Sequence, residues 1–289
     1  YINVQYVNSN RKQCRLLKIK TMQITFNKVA ALVICCLGFI IYSSAQDSIN
    51  VMTYNIRNSN AADGPNKWKF RKEKVVTLIK NVNPDVLGTQ EVLFDQYKDL
   101  QHMLTDYSVF GVGRNNGKHA GEHSCIFYKT EKYNLLKGGN FWLSETPSKP
   151  GSKSWDAAIT RICTWVQLED KEHKTSFFLF NTHFDHRGVD ARKNSARLLK
   201  HYIDSLCTNS AVIVTGDFNF EPGSEGYNVI TEAPQIIPLK DAYTVNEPNY
   251  TDCGFDVTNT QCHRIDFIFS STPVRISFAL SLGKMLRYT

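Results

Sequence analysis

Five short segments place acid, base or ligand side chains at the ends of apolar runs. They are Tyr54-Asn55-Ile56-Arg57, Gln90-Glu91, Asn181-Thr182-His183, Gly216-Asp217-Phe218-Asn219 and Arg264-Ile265-Asp266-Phe267-Ile268-Phe269. In the last, a carboxylate stands inside a run that otherwise reads as core. Burying it is costly unless it is paired, hydrogen-bonded or metal-bound. Carboxylate and amide oxygens without a cysteine suit a hard cation such as Mg²⁺ or Mn²⁺. No CxxC pair or Cys/His zinc spacing occurs. Taken singly, each segment also has a plainer reading. Asn55 fits a turn or cap, Glu91 a cap of the helix that follows, and Asp217-Phe218-Asn219 an Asx-rich turn. His183 alone is more often a satisfied structural histidine, and Asp266 fits an ion pair with Arg264. The order and spacing of all five together argue for one site.

The elements that must position these residues follow from the pattern of the chain. Ile49–Ile56 is β-rich. Trp68–Asn83 reads as an amphipathic helix with Val75, Val76, Leu78 and Ile79 on one side, stopped at Asn83-Pro84. Asp85–Gln90 reads as a short strand and Phe94–Leu104 as a second helix. Ser124–Tyr128, Arg161–Leu168 and Ser176–Thr182 are β-like. Asp190–Leu206 is a helix, Ala211–Thr215 a buried-type strand and Ile265–Phe269 another strand. This order implies mixed sheets covered by helices, with polar residues just past the strand ends, where open α/β sheets bind ligands.

Of the 289 residues, 1–45 contain six of the 34 Lys and Arg and none of the 27 Asp and Glu. The rest therefore carries 28 basic against 27 acidic residues, a net of +1, so the bulk basic signal of a polyanion binder is absent. Met22 opens a segment that reads as a signal peptide over 22–45. Lys28 supplies its charge, Val29–Tyr42 its apolar run and Ser43-Ser44-Ala45 its small-residue cleavage site. The alternative is an uncleaved N-terminal anchor. Residues 1–21 read as an uncertain leader or as translated upstream sequence. The expected location is secreted or periplasmic, with no stable membrane span after signal removal. Past the leader, Cys125, Cys163, Cys207, Cys253 and Cys262 are odd in number, so they form no complete disulfide framework. Cys253 and Cys262 flank a short polar loop and are candidates to bridge.

The order TYNIR, TQE, NTH, GDFN, RIDFIF resembles the endonuclease/exonuclease/phosphatase superfamily over about residues 48–270. Segments 111–128, 141–147 and 181–188 are similar to its small secreted bacterial members, usually described as metal-dependent hydrolases. The resemblance implies an α/β (α+β) fold: a four-layer α/β/β/α sandwich of two mixed β-sheets flanked by helices, over 46–289. It implies a monomeric metal-dependent phosphoester hydrolase, using Mg²⁺ (or Mn²⁺), of the phosphodiesterase, nuclease or phosphatase kind. The substrate would be nucleic acid, nucleotide, sugar phosphate or lipid headgroup. Carried over by position, Glu91 is the principal metal ligand and Asn55 contacts metal or phosphate. His183 supports the phosphate, Glu122 orients His183, Asp217 positions or deprotonates water, and Asn219 holds the phosphate. Asp241 pairs with the family's last catalytic histidine, and Asp266 lies on the strand before it. Arg114 and Arg161 are further phosphate contacts, with a surface or structural ion pair left open for each.

The family's final Ser-Asp-His has no counterpart after Asp266, where the chain reads to SLGKMLRYT. The expectation is therefore a truncated domain whose last strand is missing and whose sheet has an unpaired edge. Two other functions stay in view. One is a catalytically impaired phosphate-ligand binding module. The other is a sphingomyelinase-like lipid phosphodiesterase, for which Phe141-Trp142-Leu143 is the only candidate membrane-contacting segment, although it reads more readily as core.

Overall fold

The structure, a computed structural model, describes residues 48–208, 210–232, 236–243, 250–255 and 261–271, and the backbone of 275–282. The expectations for 1–21 and 22–45 lie outside the described residues. Strands β1 (Ser48–Asn55), β2 (Val86–Val92), β3 (Tyr107–Phe110), β4 (His123–Lys129) and β11 (Arg275–Leu282) form one sheet in the order β11-β1-β2-β4-β3. The second sheet runs β5 (Tyr133–Trp142), β6 (Ile162–Asp170), β7 (Ser176–His183), β8 (Ala211–Asp217), β10 (Asp266–Ser271) and β9 (Leu239–Asp241). Both sheets mix parallel and antiparallel pairs. β11 lies along β1 in parallel register from Ser48↔Arg275 to Tyr54↔Leu282.

Period-2 alternation along the strands sorts the apolar residues into three cores. Met52, Leu87 and Phe127 pack with Val75 and Ile79 of helix α1 (Trp68–Val82) and Leu100 of α2 (Phe94–Met103). Their neighbours Val51, Val86 and Ile126 point the other way and meet Leu179, Ile213 and Ile268 of the second sheet. Phe178, Phe180, Val212, Val214, Phe267 and Phe269 pack with Leu199 and Ile203 of α3 (Val189–Leu206) and Ile230 of α4 (Glu225–Thr231). Three cores between four layers give the expected α/β/β/α sandwich.

Helix ends are set by local chemistry. Asn83 adopts φ 51°, and its N–H reaches Ile79 O, closing α1 before Pro84. The N-terminus of α3 is capped from a distance, with Ala191 N donating to Asp156 Oδ1 at 2.7 Å. Among the described residues, no helix is long and apolar enough to cross a membrane. Cys253 and Cys262 are joined by a disulfide.

Candidate active site

β1, β2, β7, β8 and β10 bring their ends together, and each contributes one of the singled-out residues. Asn55 is buried, and its Nδ2 donates to Glu91 Oε1 at 3.0 Å and to Asp217 Oδ2 at 2.8 Å. One amide thus clasps carboxylates from the two sheets. His183 Nε2 lies 3.5 Å from the same Asp217 oxygen. Asp217 Oδ1 accepts from Asn219 N at 3.1 Å. Asp266 is fully buried and opposes Asp217 across the β8–β10 pair.

Glu91 should not reach this cluster from a regular strand. Gln90 donates to Asn181 Oδ1 of the facing sheet at 2.7 Å. Adjacent strand residues point to opposite faces, so a regular β2 would turn Glu91 away. The β2–β4 register shifts between Thr89 and Val92, and Glu91 holds φ 60°. This bulge re-aims its side chain onto Asn55. Arg57 and Asn219 share the left-handed conformation, with φ 58° and 51°. Three non-glycine residues at positive φ around one centre mark strain that the surrounding packing must hold. Glu91 Oε2 is fixed by Asn58, from N at 3.1 Å and Nδ2 at 2.9 Å.

A second polar layer lies directly beneath. Thr53, Gln90, Asn181 and Thr215 are fully buried. Asn181 Oδ1 accepts from Gln90 Nε2 and, at 3.1 Å, from Thr215 Oγ1. Its Nδ2 donates to Thr89 O at 2.9 Å and Cys125 O at 2.8 Å, beside the bulge. Gln90 Nε2 also donates to Thr53 Oγ1 at 3.0 Å. Gly88 leaves the room for this crossing, because a Cβ there would stand 2.2 Å from Thr215 Oγ1.

Several of the singled-out residues have partners of their own in the fold. Glu122 does not hydrogen-bond His183. Its carboxylate is held by Arg114 at 2.6 Å and by Asn58 Nδ2 at 3.4 Å. The cause is local: the 113–122 loop folds back, Arg114 N donating to Glu122 O, and this sets the guanidinium beside the carboxylate. Burial pushes the Glu122 carboxyl up and the Glu91 charge adds to this, against Arg114, Arg161 and Arg57. Arg114 is correspondingly committed to an ion pair. Asp241 stands apart on the edge strand β9, where it accepts from Arg264 Nη2 at 2.7 Å and from Tyr227 OH at 3.2 Å. A nearby guanidinium supplies the charge partner that a histidine was expected to supply. Asn55 turns its nitrogen to the carboxylates, while its oxygen accepts from Arg57 N at 3.0 Å. Asn219 Nδ2 is engaged with Phe184 O at 3.0 Å. Phe141, Trp142 and Leu143 are buried core, not an exposed aromatic hairpin.

Arg161 is 4% exposed, yet its Nε and Nη1 have no hydrogen-bond acceptor among the described residues. Nε keeps a 3.6 Å ion pair with Asp185, and Nη2 meets His186 Nδ1 at 3.1 Å. Burial and the Arg114 charge pull its pKa down to about 10, against Glu122, Asp185 and Asp217. Sequence reasoning does not single out Asn58 and Asp185. Asn58 directly follows TYNIR and Asp185 lies inside NTHFDHRG, so adjacency to a motif is the only available signal.

A family model for the endonuclease/exonuclease/phosphatase family matches residues 52–283. The chain is similar to a Bacteroides vulgatus endonuclease/exonuclease/phosphatase crystal structure, with 39% identity and TM-score 0.73, covering 78% of this chain and 87% of that one. A Bacteroides thetaiotaomicron mannosyl-6-phosphatase shows 37% identity and TM-score 0.72, over 78% and 86%. Mouse Nocturnin is 27% identical over 273 residues, 83% of this chain and 60% of that protein. The chain spans about three fifths of the length of the first curated relatives it matches.

Proposed function

The chain belongs to the endonuclease/exonuclease/phosphatase family, and from that premise we propose that it is a metal-dependent hydrolase of phosphoester bonds. The observation that carries this reading is the Asn55 clasp, which holds Glu91 and Asp217 together beside a buried arginine short of acceptors. Phosphate oxygens are what such a guanidinium lacks. The mannosyl-6-phosphatase among the relatives supports a phosphoester as the substrate.

The donor set fits a hard cation. Glu91, Asp217 and Asp266 offer only oxygens, and the free cysteines Cys125, Cys163 and Cys207 are buried. Mg²⁺ or Mn²⁺ binds through one or two carboxylates and completes its shell with water and phosphate. Glu91 would hold the ion. When bound, it neutralises phosphate charge and polarises the P–O bond. Asp217, with both oxygens oriented by Asn55 and Asn219, accepts the proton of the attacking water. Arg161 and His183 stabilise the charge that accumulates on the phosphoryl oxygens. Asn55 acts as a positioning residue for both carboxylates. The Cys253–Cys262 disulfide supports a secreted or periplasmic setting, because such bonds persist in oxidising compartments.

The test is release of p-nitrophenol from its phosphate mono- and diesters with Mg²⁺ or Mn²⁺, before and after EDTA. Asp217→Asn and Glu91→Ala should each lose about a thousandfold in kcat/KM, roughly 4 kcal/mol of transition-state stabilisation, while melting with wild-type cooperativity. Full activity after chelation overturns the metal. Phosphate binding without turnover makes the protein a binding module instead.

A further inference from the structure

Past Asn219 the site opens into a cleft of about 420 Å³, within the range of small-molecule pockets, about 300–1,000 Å³. Its wall combines Arg192, Lys193, Glu221, Glu225, Asp252 and His263 with an apolar floor of Phe220 and Ile265. Asn219 belongs both to the cleft and to the cluster around Asp217, so the cleft adjoins that cluster.

The charges of the wall are largely consumed within it. Lys193 Nζ pairs with Glu225 Oε2 at 2.5 Å, and His263 Nδ1 pairs with Glu221. Arg192 Nη1 donates to the Asp185 carbonyl at 3.1 Å. Each of the three cationic or imidazole side chains thus has an acceptor of its own, while the Asp252 carboxylate has no hydrogen bond or ion pair among the described residues. A second phosphate would find no uncommitted cation among these residues. A polynucleotide track needs the opposite, a positively charged groove with aromatic faces for stacking. Hydroxyl groups, in contrast, find acceptors in Asp252 and Glu221, a hydroxyl partner in Ser224 and an apolar surface on Phe220.

We propose that this cleft is the leaving-group subsite, and that it takes a neutral, polyhydroxylated group, so that the substrate is a sugar or polyol monophosphate and not a polyanion. This rests on the phosphoester-hydrolase reading and narrows it. Asp252 is the specificity-determining acceptor.

The full chain, loaded with Mg²⁺ or Mn²⁺, is assayed for phosphate release from hexose 6-phosphate, nucleoside 5′-monophosphate and p-nitrophenyl phosphate, and for cleavage of a short single-stranded oligonucleotide. Hexose 6-phosphate should be turned over at least tenfold more efficiently than the nucleotide or the oligonucleotide. Asp252→Ala should lower kcat/KM for hexose 6-phosphate about tenfold through KM, and leave p-nitrophenyl phosphate within twofold. Asp252→Asn should recover most of the loss. Preference for the nucleotide or the oligonucleotide overturns the proposal, as does an equal effect of Asp252→Ala on both monoesters. If p-nitrophenyl phosphate is not hydrolysed, the hydrolase reading fails first. The cleft is then read by calorimetry: tighter binding of hexose 6-phosphate than of inorganic phosphate, lost in Asp252→Ala, sustains the subsite, and equal binding overturns it.

Discussion

Between the two sheets, Val51, Leu179 and Ile213 fill the space with hydrocarbon. Two residues further along the same strands, Thr53, Asn181 and Thr215 fill it with hydrogen bonds. Two residues further again stand Asn55, His183 and Asp217. Strand periodicity keeps all three levels on one face, so backbone geometry is not what distinguishes them. The difference lies in what each level tolerates. An apolar layer is non-directional and accepts any filling of similar volume. The polar layer is directional: Asn181 uses all four of its hydrogen-bonding positions, on partners from three strands, Thr89 and Gln90 of β2, Cys125 of β4 and Thr215 of β8. Sheet-to-sheet cohesion is therefore general at the bottom and specific just under the catalytic side chains, where the separation of Glu91 from Asp217 is set.

The sharpest way to break this contrast is Asn181→Leu. The variant keeps the volume but removes one hydrogen bond each from the Thr89 and Cys125 carbonyls and from the Gln90 amide, which keeps Thr53. Stability should fall by about 3 kcal/mol. Because the bulge that aims Glu91 loses its tie to the second sheet, activity should fall about a hundredfold, as for an ångström-scale misplacement. The comparison is made on folded protein well below the melting transition. Loss of stability with unchanged kcat would show that the polar layer only holds the sheets together and does not position the site.

The residues of this site were legible to different depths. Apolar runs ending in Asn, Glu, His or Asp mark strand ends directly, which is why Asn55, Glu91, His183, Asp217 and Asp266 were found and do converge. Gln90 and Asn181 stood inside the same motifs, but their bond joins residues 91 positions apart, and no local pattern encodes it. The reach of Glu91 depends on a bulge, and Glu122 and Asp241 took arginine partners that only the folded loops bring near. Strand β5 was missed because it is a sheet edge, exposed over Asn134–Gly138, and carries Gly138-Gly139 and Lys137 in place of alternation. The disulfide needed geometry that spacing does not supply.

A milder test lies one step beyond His183. Burial raises the Asp185 carboxyl, but the N–H groups of Gly188, Arg187, Ala158 and Ile159 outweigh burial and hold it far below the usual carboxylate range. A group whose pKa is depressed by folding contributes stability above its unfolded pKa, and that contribution is lost as pH falls toward the folded value. Asp185→Asn should therefore cost about 2 kcal/mol near pH 7 by urea unfolding. The gap to wild type should close progressively below about pH 4. Arg161 loses its 3.6 Å ion pair in the same variant, so phosphate affinity should weaken along with stability. A gap that stays constant down to pH 2 would mean that the Asp185 charge is not what the backbone donors are holding.

The smallest effect is expected at the bottom of the same strand, and it is the control on which the contrast depends. Leu179→Met changes shape but not polarity in the layer that also holds Val166, Leu168 and Ile213. Thioether chains adapt to irregular gaps, and volume-conserving swaps of this kind cost less than about 1.5 kcal/mol. No hydrogen bond of the Asn181 layer involves the Leu179 side chain, so the Glu91–Asp217 separation should not change. The prediction is a slightly lower melting temperature with kcat and KM within twofold of wild type. If Leu179→Met instead reduced kcat as Asn181→Leu does, the two layers would be one mechanical unit. Positioning would then be a property of sheet packing as a whole, and the hydrogen bonds of Asn181 would have no separate part in it.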